Sequence, residues 1–205
     1  MAEVMVRQQP ARPALWQQAL VEKSWQERDY SLVVFPEGEG GERVKQLAGN
    51  FHRSFRGGFS PQEAPLIELA SFRAREAMEE TLIRWIQRVC HMQRRFWVQL
   101  NGFCEKHTGG LYLQVQDHRP FAKIAGSLSV VDQYIQSCGG PPVDWIQAPH
   151  CRITDMATTN EYDQTKNWFS AQPFHADFFV HSLVLMKQVS DSGSAELVNV
   201  FPLLP

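Results

Sequence analysis

Apolar and polar residues fall into two rhythms along this chain, one of about 3.6 residues and one of two. YSLVVFP (30–36) is a short apolar run closed by proline and reads as a buried strand. EGEGG reads as a turn. In ERVKQLAGNFHRSF (42–55), Val44, Leu47, Phe51 and Phe55 recur at helical spacing, which predicts a helix. GGFSPQEAP is a loop, and LIELASF (66–72) reads as a second strand. The strongest helical pattern is AREAMEETLIRWIQRVCHMQRR (74–95), with Met78, Leu82, Trp85, Ile86 and Val89 on one side. Arg84, Arg88, His91 and Arg95 line another side. That stripe reads as a solvated face, with phosphate contact as the alternative reading.

FWVQLNGF (96–103) and LYLQVQ (111–116) both alternate, and a loop ending in Gly109-Gly110 joins them as a hairpin. Phe96, Val98, Leu100, Leu111, Leu113 and Val115 are expected to face the core. Gln99, Asn101, Tyr112 and Gln114 face the other way, as a ligand floor or an exposed sheet face. A helix is expected over 121–138, with Ile124, Leu128, Val131 and Ile135 inward, then a strand in APHCRITDM (148–156) and a helix near 161–170. One long strand is expected over 174–188; Phe178 and Val180 have the opposite parity to Leu183 and Leu185, so a bulge near His181-Ser182 would reconcile them. LVNVFPL (197–203) closes the pattern. Residues 1–28 read as a tail and a short helix (13–28) packing on the body, with residues 29–205 as one domain. The order is βαβαββαβαββ. Hairpins among helices make it α+β, not a doubly wound parallel sheet.

Composition narrows the class. The chain has 205 residues, 43% apolar and 20% charged, with net charge −2. That is a globular composition without a global basic field, so an RNA contact needs a local cleft. Cys90, Cys104, Cys138 and Cys151 form no CxxC pair, which argues against a zinc site and for a reducing compartment. No apolar run reaches membrane-spanning or signal-peptide length, so the expected location is the cytoplasm, with no membrane partner. No GxGxxG or P-loop follows a strand, and no cofactor is expected.

Candidate chemistry gathers in APHCRIT. In an extended strand His150, Arg152 and Thr154 share one face and Cys151 points the other way, a poor arrangement for a His–Cys nucleophile. His150, His175, His181 and Asp177 raise the question of a metal, but no second ligand motif accompanies them, so they read as a surface cluster and no metal is expected.

The order also contains an echo. PLIELASF (65–72) and PHCRITDM (149–156) are proline-led strands at corresponding places in two halves of the pattern. With the YSLVVFP opening, the FWVQLNGF/LYLQVQ pair and the FVHSLVLMKQV to LVNVFPL ending, the chain resembles the 2H phosphoesterase superfamily, the 2′-5′ RNA ligases and cyclic phosphodiesterases, from about Tyr30 to Leu203. The resemblance implies two pseudo-symmetric lobes of antiparallel sheet with outer helices around a central cleft, each lobe giving one His-x-Thr/Ser strand. Two histidines would then exchange protons with the attacking and leaving oxygens, while hydroxyls bond the phosphoryl oxygens.

This chain departs from that pattern. Leu66 stands at the first histidine position and Glu68 at its hydroxyl position. His150 remains, but Arg152 replaces the second hydroxyl. The two-histidine mechanism is not available from these positions. Glu68 and Arg152 are expected to pair across the cleft. His150 has three readings: a structural remnant, an anion-binding group working with Arg152, or an acid–base group working with Glu68. The expected function is binding of a nucleotide, an RNA-end phosphate or a partner, with Arg152, His150 and Thr154 at the anion and Tyr112 and Gln99 near a base. The alternatives are an active phosphodiesterase with rearranged residues, and a structural protein whose cleft is closed.

Overall fold

A computed structural model of the chain describes residues 26–54, 64–105, 110–154, 167–169, 171–189 and 195–205. The expected helix at 13–28 lies outside the described residues except at its end, where Glu27 and Arg28 are already strand.

The elements are β1 (Glu27–Val34), α1 (Gly38–Ser54), β2 (Leu66–Arg75), a 3-10 turn (Glu76–Met78), α2 (Glu79–Cys90), β3 (Phe96–Glu105), β4 (Leu111–Val115), α3 (Arg119–Ser127), α4 (Ser129–Ser137), β5 (Asp144–Trp145), β6 (His150–Thr154), β7 (His175–Val180), β8 (Ser182–Gln188) and β9 (Ala195–Pro202). Among the described residues the strands form one sheet in the order β7-β3-β4-β6-β2-β1-β8-β9, with β5 against β2. Every strand pair is antiparallel. The fold is α+β, a curled antiparallel half-barrel of two lobes with helices packed on it.

The curl follows from one peptide. The apolar run at 174–188 is not a single bulged strand. It breaks at His181, so that β7 pairs with β3 at one end of the sheet and β8 pairs with β1 and β9 near the other. The parity change that suggested a bulge is a change of lobe. Six strand spacings on a flat sheet would separate β7 from β8 by about 29 Å, yet one residue joins them, so the rims must approach each other. The tail of β9 ties this corner: Leu203 N–H donates to His181 O at 2.8 Å, Leu204 N–H to Gln93 O at 2.8 Å, and Arg95 N–H to Leu204 O at 2.8 Å.

One face of the sheet meets the helices and carries the core. Leu32 and Val34 of β1, Ile67 and Leu69 of β2, Val98 and Leu100 of β3, Leu113 and Val115 of β4, Cys151 and Ile153 of β6, and Phe178 and Val180 of β7 are all buried there. Val44, Ala48 and Phe51 of α1 and Leu82, Ile86 and Val89 of α2 meet them, as the helical spacing predicts. The hairpin residues predicted inward are inward. Helix α1 begins four residues earlier than expected because EGEGG forms its first turn. A Cβ on Gly40 would collide with the Asp177 carbonyl on the edge strand β7, and one on Gly41 would collide with that of Pro36. Glycine lets the helix cover that edge. The expected helix 121–138 is two helices hinged at buried Leu128, which keep one continuous inner stripe. The 74–95 segment enters its helix late because Ala74 still pairs with Arg28 in the β1–β2 ladder. Of the expected helix at 161–170 only 167–169 is described, and it is helical.

Candidate functional site

The other face of the sheet is built from the alternate residues. In the β2–β6 ladder Leu66 lies opposite Arg152, and Ile67 lies opposite Cys151. Continuing that register by one residue sets Glu68 opposite His150. On the next strand Tyr112 lies opposite Arg152 and Gln114 opposite His150. On the far side of β2, Val33 lies opposite Glu68 and Val184 opposite Val33. Two rows therefore cross the middle of this face: Val184, Val33, Glu68, His150 and Gln114 in one, and Leu66, Arg152 and Tyr112 in the other. Residues facing each other across such ladders have their Cα atoms about 4.5–5.5 Å apart. β2 and β6 thus pair directly in the middle of the sheet.

Leu66, Glu68, His150 and Arg152 are all half-buried. Val33, Tyr112 and Val184 are buried but stand outside the core cluster, so this face is sheltered near its centre and wetter toward Gln114 and Gln99. Gln99 is not beside His150. It pairs with Gln116, whose N–H donates to Gln99 O at 3.0 Å, and lies on β3, two strands from β6. Thr154 lies opposite Leu111 at the end of β6; its side chain lies outside the described residues.

The expected Glu68–Arg152 ion pair is not among the salt bridges of the described residues. Register is the reason. Antiparallel pairing sets position 68 against 150 and position 66 against 152, so Glu68 and Arg152 are diagonal neighbours. The residue that Glu68 faces is His150.

A second histidine stands beside the first. His118, between β4 and α3, has its ring centroid 6.1 Å from that of His150, with the planes inclined by 50°. Its Nε2 is buried and without a hydrogen-bond partner. Next to it Asp117 accepts from Arg119 Nε at 2.9 Å, from its Nη2 at 2.8 Å and from its backbone N at 3.0 Å. Those bonds hold the Asp117 carboxyl down to about 2. Sequence reading missed His118 because it sought the second imidazole on β2, at Leu66. The available signal was DHR placed straight after the LYLQVQ strand: once β4 is taken to pair with β6, that tripeptide falls beside His150.

The remaining candidates separate from this centre. Cys151 points into the core, fully buried, and burial pushes its thiol far above the usual range, with Cys104 adding to the shift. Burial likewise pushes the Cys90 thiol up to about 12. Neither is an available nucleophile. His175 and Asp177 approach at 3.9 Å on an exposed part of β7. Among the described residues no three His, Cys, Asp or Glu side chains gather to hold a metal ion. The predicted basic stripe is engaged: on α2 Arg84 bonds Glu80 at 3.1 Å and Arg88 lies over the Trp85 ring, while Arg95, beyond the helix that ends at Cys90, bonds Leu203 O at 3.3 Å. No helix of the described residues is long and apolar enough to cross a membrane.

This curled antiparallel fold, with β2 and β6 paired in the middle of the sheet, is shared with solved phosphoesterase and LigT structures. The solved structures it resembles include one described as a phosphoesterase (TM-score 0.62, 12% identity, 88% of this chain and 100% of that one). Escherichia coli LigT complexed with 3′-AMP matches with a TM-score of 0.61 and 12% identity, over 88% of this chain and 99% of that one. TT0787 of Thermus thermophilus matches with a TM-score of 0.62 and 16% identity, over 85% of this chain and 97% of that one. At these identities the likeness is one of fold. No family model and no curated protein matches the sequence.

Proposed function

We propose that residues 29–205 form one bilobal 2H-like domain that binds a nucleotide or an RNA-end phosphate in its cleft, in the cytoplasm, without two-histidine catalysis. The observation that carries this reading is the central register. The four positions that the resemblance gives to two histidines and two hydroxyls hold Leu66, Glu68, His150 and Arg152: Leu66 lies opposite Arg152, and the same register, continued past Ile67 and Cys151, sets Glu68 opposite His150. Leu66 has no proton to transfer, and Glu68 opposes a phosphate. Arg152 and His150 supply donors suited to one phosphoryl group, with Thr154 on the same strand, Tyr112 opposite Arg152, and Gln99 further along the face. LigT complexed with 3′-AMP, phosphate and ATP supports nucleotide binding by this fold.

A second reading is an active phosphodiesterase with rearranged residues. The observation favouring it is His118, an imidazole with a buried, unbonded Nε2 close to His150. One assay separates the two. Titration with cytidine 3′-phosphate, and incubation with cytidine 2′,3′-cyclic phosphate, should give saturable binding and no product. His150→Ala and Arg152→Ala should each weaken that binding. Turnover abolished by His150→Ala or His118→Ala would overturn the binding-only reading in favour of the second. Absence of any binding would overturn both.

A further inference from the structure

Toward the β7 rim the same face ends in aromatic rings. Trp97 of β3 lies opposite Phe179 of β7, with ring centroids 5.0 Å apart and planes inclined by 53°. His181 meets the edge of Phe179 at 5.1 Å. Trp97 is 61% exposed. An indole is seldom left so open on a strand whose alternate residues fill the core. Beside these rings is a cavity of about 340 Å³, lined also by Asp177, by Glu37 just before α1, and by Glu39 and Arg43 on α1.

Register fixes where this cavity stands relative to His150. β3 is two strands from β6, which is about 10 Å across the sheet. His150 is level with Gln114 and Gln99 with Gln116, two residues further along, and Trp97 is two residues beyond Gln99 on β3, so it stands about 13 Å further along. The combined path is longer than one nucleotide reaches between its phosphate and its own base. It matches a strand of two or three nucleotides. The carboxylates of Asp177 and Glu37 disfavour a phosphate in the cavity itself. They suit a neutral base that presents an amino group, while a ring face on Trp97 suits stacking.

We propose that Trp97 and Phe179 form a stacking platform for a base of single-stranded RNA, at least one nucleotide removed from the phosphate at His150 and Arg152, with Asp177 selecting bases that carry an amino group. This rests on the phosphate-binding reading above and makes the ligand an oligonucleotide end rather than a free nucleotide. The test compares cytidine 3′-phosphate with a 3′-phosphorylated cytidine trinucleotide and its uridine counterpart, by titration of the full chain. The cytidine trinucleotide should bind about tenfold or more tightly than the mononucleotide, and more tightly than the uridine trinucleotide. Trp97→Ala should remove about tenfold of trinucleotide affinity, and Trp97→Phe should restore most of it. Melting temperatures of both variants should stay near that of the parent, since the indole is largely outside the core. A mononucleotide that binds through Arg152 with no gain for the trinucleotide, or a gain that survives Trp97→Ala, overturns the platform and leaves the phosphate reading standing. Failure of both ligands to bind overturns both. Equal affinity of the cytidine and uridine trinucleotides removes the role given to Asp177.

Discussion

Two groups of charged side chains flank the centre of the sheet, and they are built differently. On the helix side, Lys187 donates to Glu79 Oε2 at 3.0 Å and to Glu76 Oε1 at 3.3 Å. Tyr30 O–H donates to the same Glu79 oxygen at 3.0 Å, and Arg28 reaches Glu76 at 3.8 Å. Each charge there meets an opposite one contributed by β1, β8, the 3-10 turn or α2. On the cleft side, register sets Glu68 against His150 and Leu66 against Arg152, and leaves His118 Nε2 without a bond. The first group is held by its own ion pairs, with Glu76 Oε2 left without a hydrogen bond. The second is the group to which the proposed function assigns the anion.

Substitutions should pull these roles apart. The largest effect belongs to the closed group: Lys187→Ala leaves two carboxylates and a tyrosine together and should cost about 3 kcal/mol of stability, measured by urea unfolding, with phosphate affinity unaltered. Lys187→Met, which fills the space but leaves Glu79 without a cation and Glu76 with Arg28 alone, should not rescue it. Burial, then Glu79, raises the Tyr30 pKa, and the Glu79 and Glu76 carboxylates raise that of Lys187 against its desolvation. Folded protein thus holds both protons more tightly than unfolded chain. Their stabilisation is full below about pH 10 and lost as pH rises through the folded values, so Tyr30→Phe should flatten the alkaline limb of a stability–pH curve.

Next in size is the cleft. Arg152→Ala should lower phosphate affinity by about 2 kcal/mol, near thirtyfold, in a calorimetric titration, with little change in unfolding midpoint. A large loss of stability in that variant would place Arg152 with the closed group and dissolve the distinction. Glu68→Gln removes a negative charge facing the same space. It should strengthen phosphate binding by about 1 kcal/mol, a gain that shrinks with added salt. The smallest effect is the control: Arg84→Ala breaks an exposed pair with Glu80 and should shift stability by less than about 0.5 kcal/mol and leave binding alone.

Much of this architecture is legible in the pattern of side chains. Alternation in FWVQLNGF and LYLQVQ identifies both strands, their pairing and their inward residues, because a half-buried antiparallel strand must alternate. The stripe on α2 does the same for a helix. What escapes is whatever depends on partners distant in sequence. The run at 174–188 looks like one bulged strand because periodicity records the face that is buried and not which lobe buries it. EGEGG looks like a turn because glycine is common in turns; only contact with the Asp177 backbone explains it in a helix. At the site, the proline-led echo locates β2 and β6. It does not give the antiparallel stagger, which puts Glu68 against His150 instead of Arg152. His118 escapes for the same reason, since its neighbour is reached through the β4–β6 pairing.

The passage through His181 constrains motion as well as shape. A single residue crosses between the rims, and the β9 tail fastens it to the segment before β3. The mouth of the molecule therefore has one end of fixed span. Any opening that admits a larger guest must pivot about that corner and gape at the opposite end.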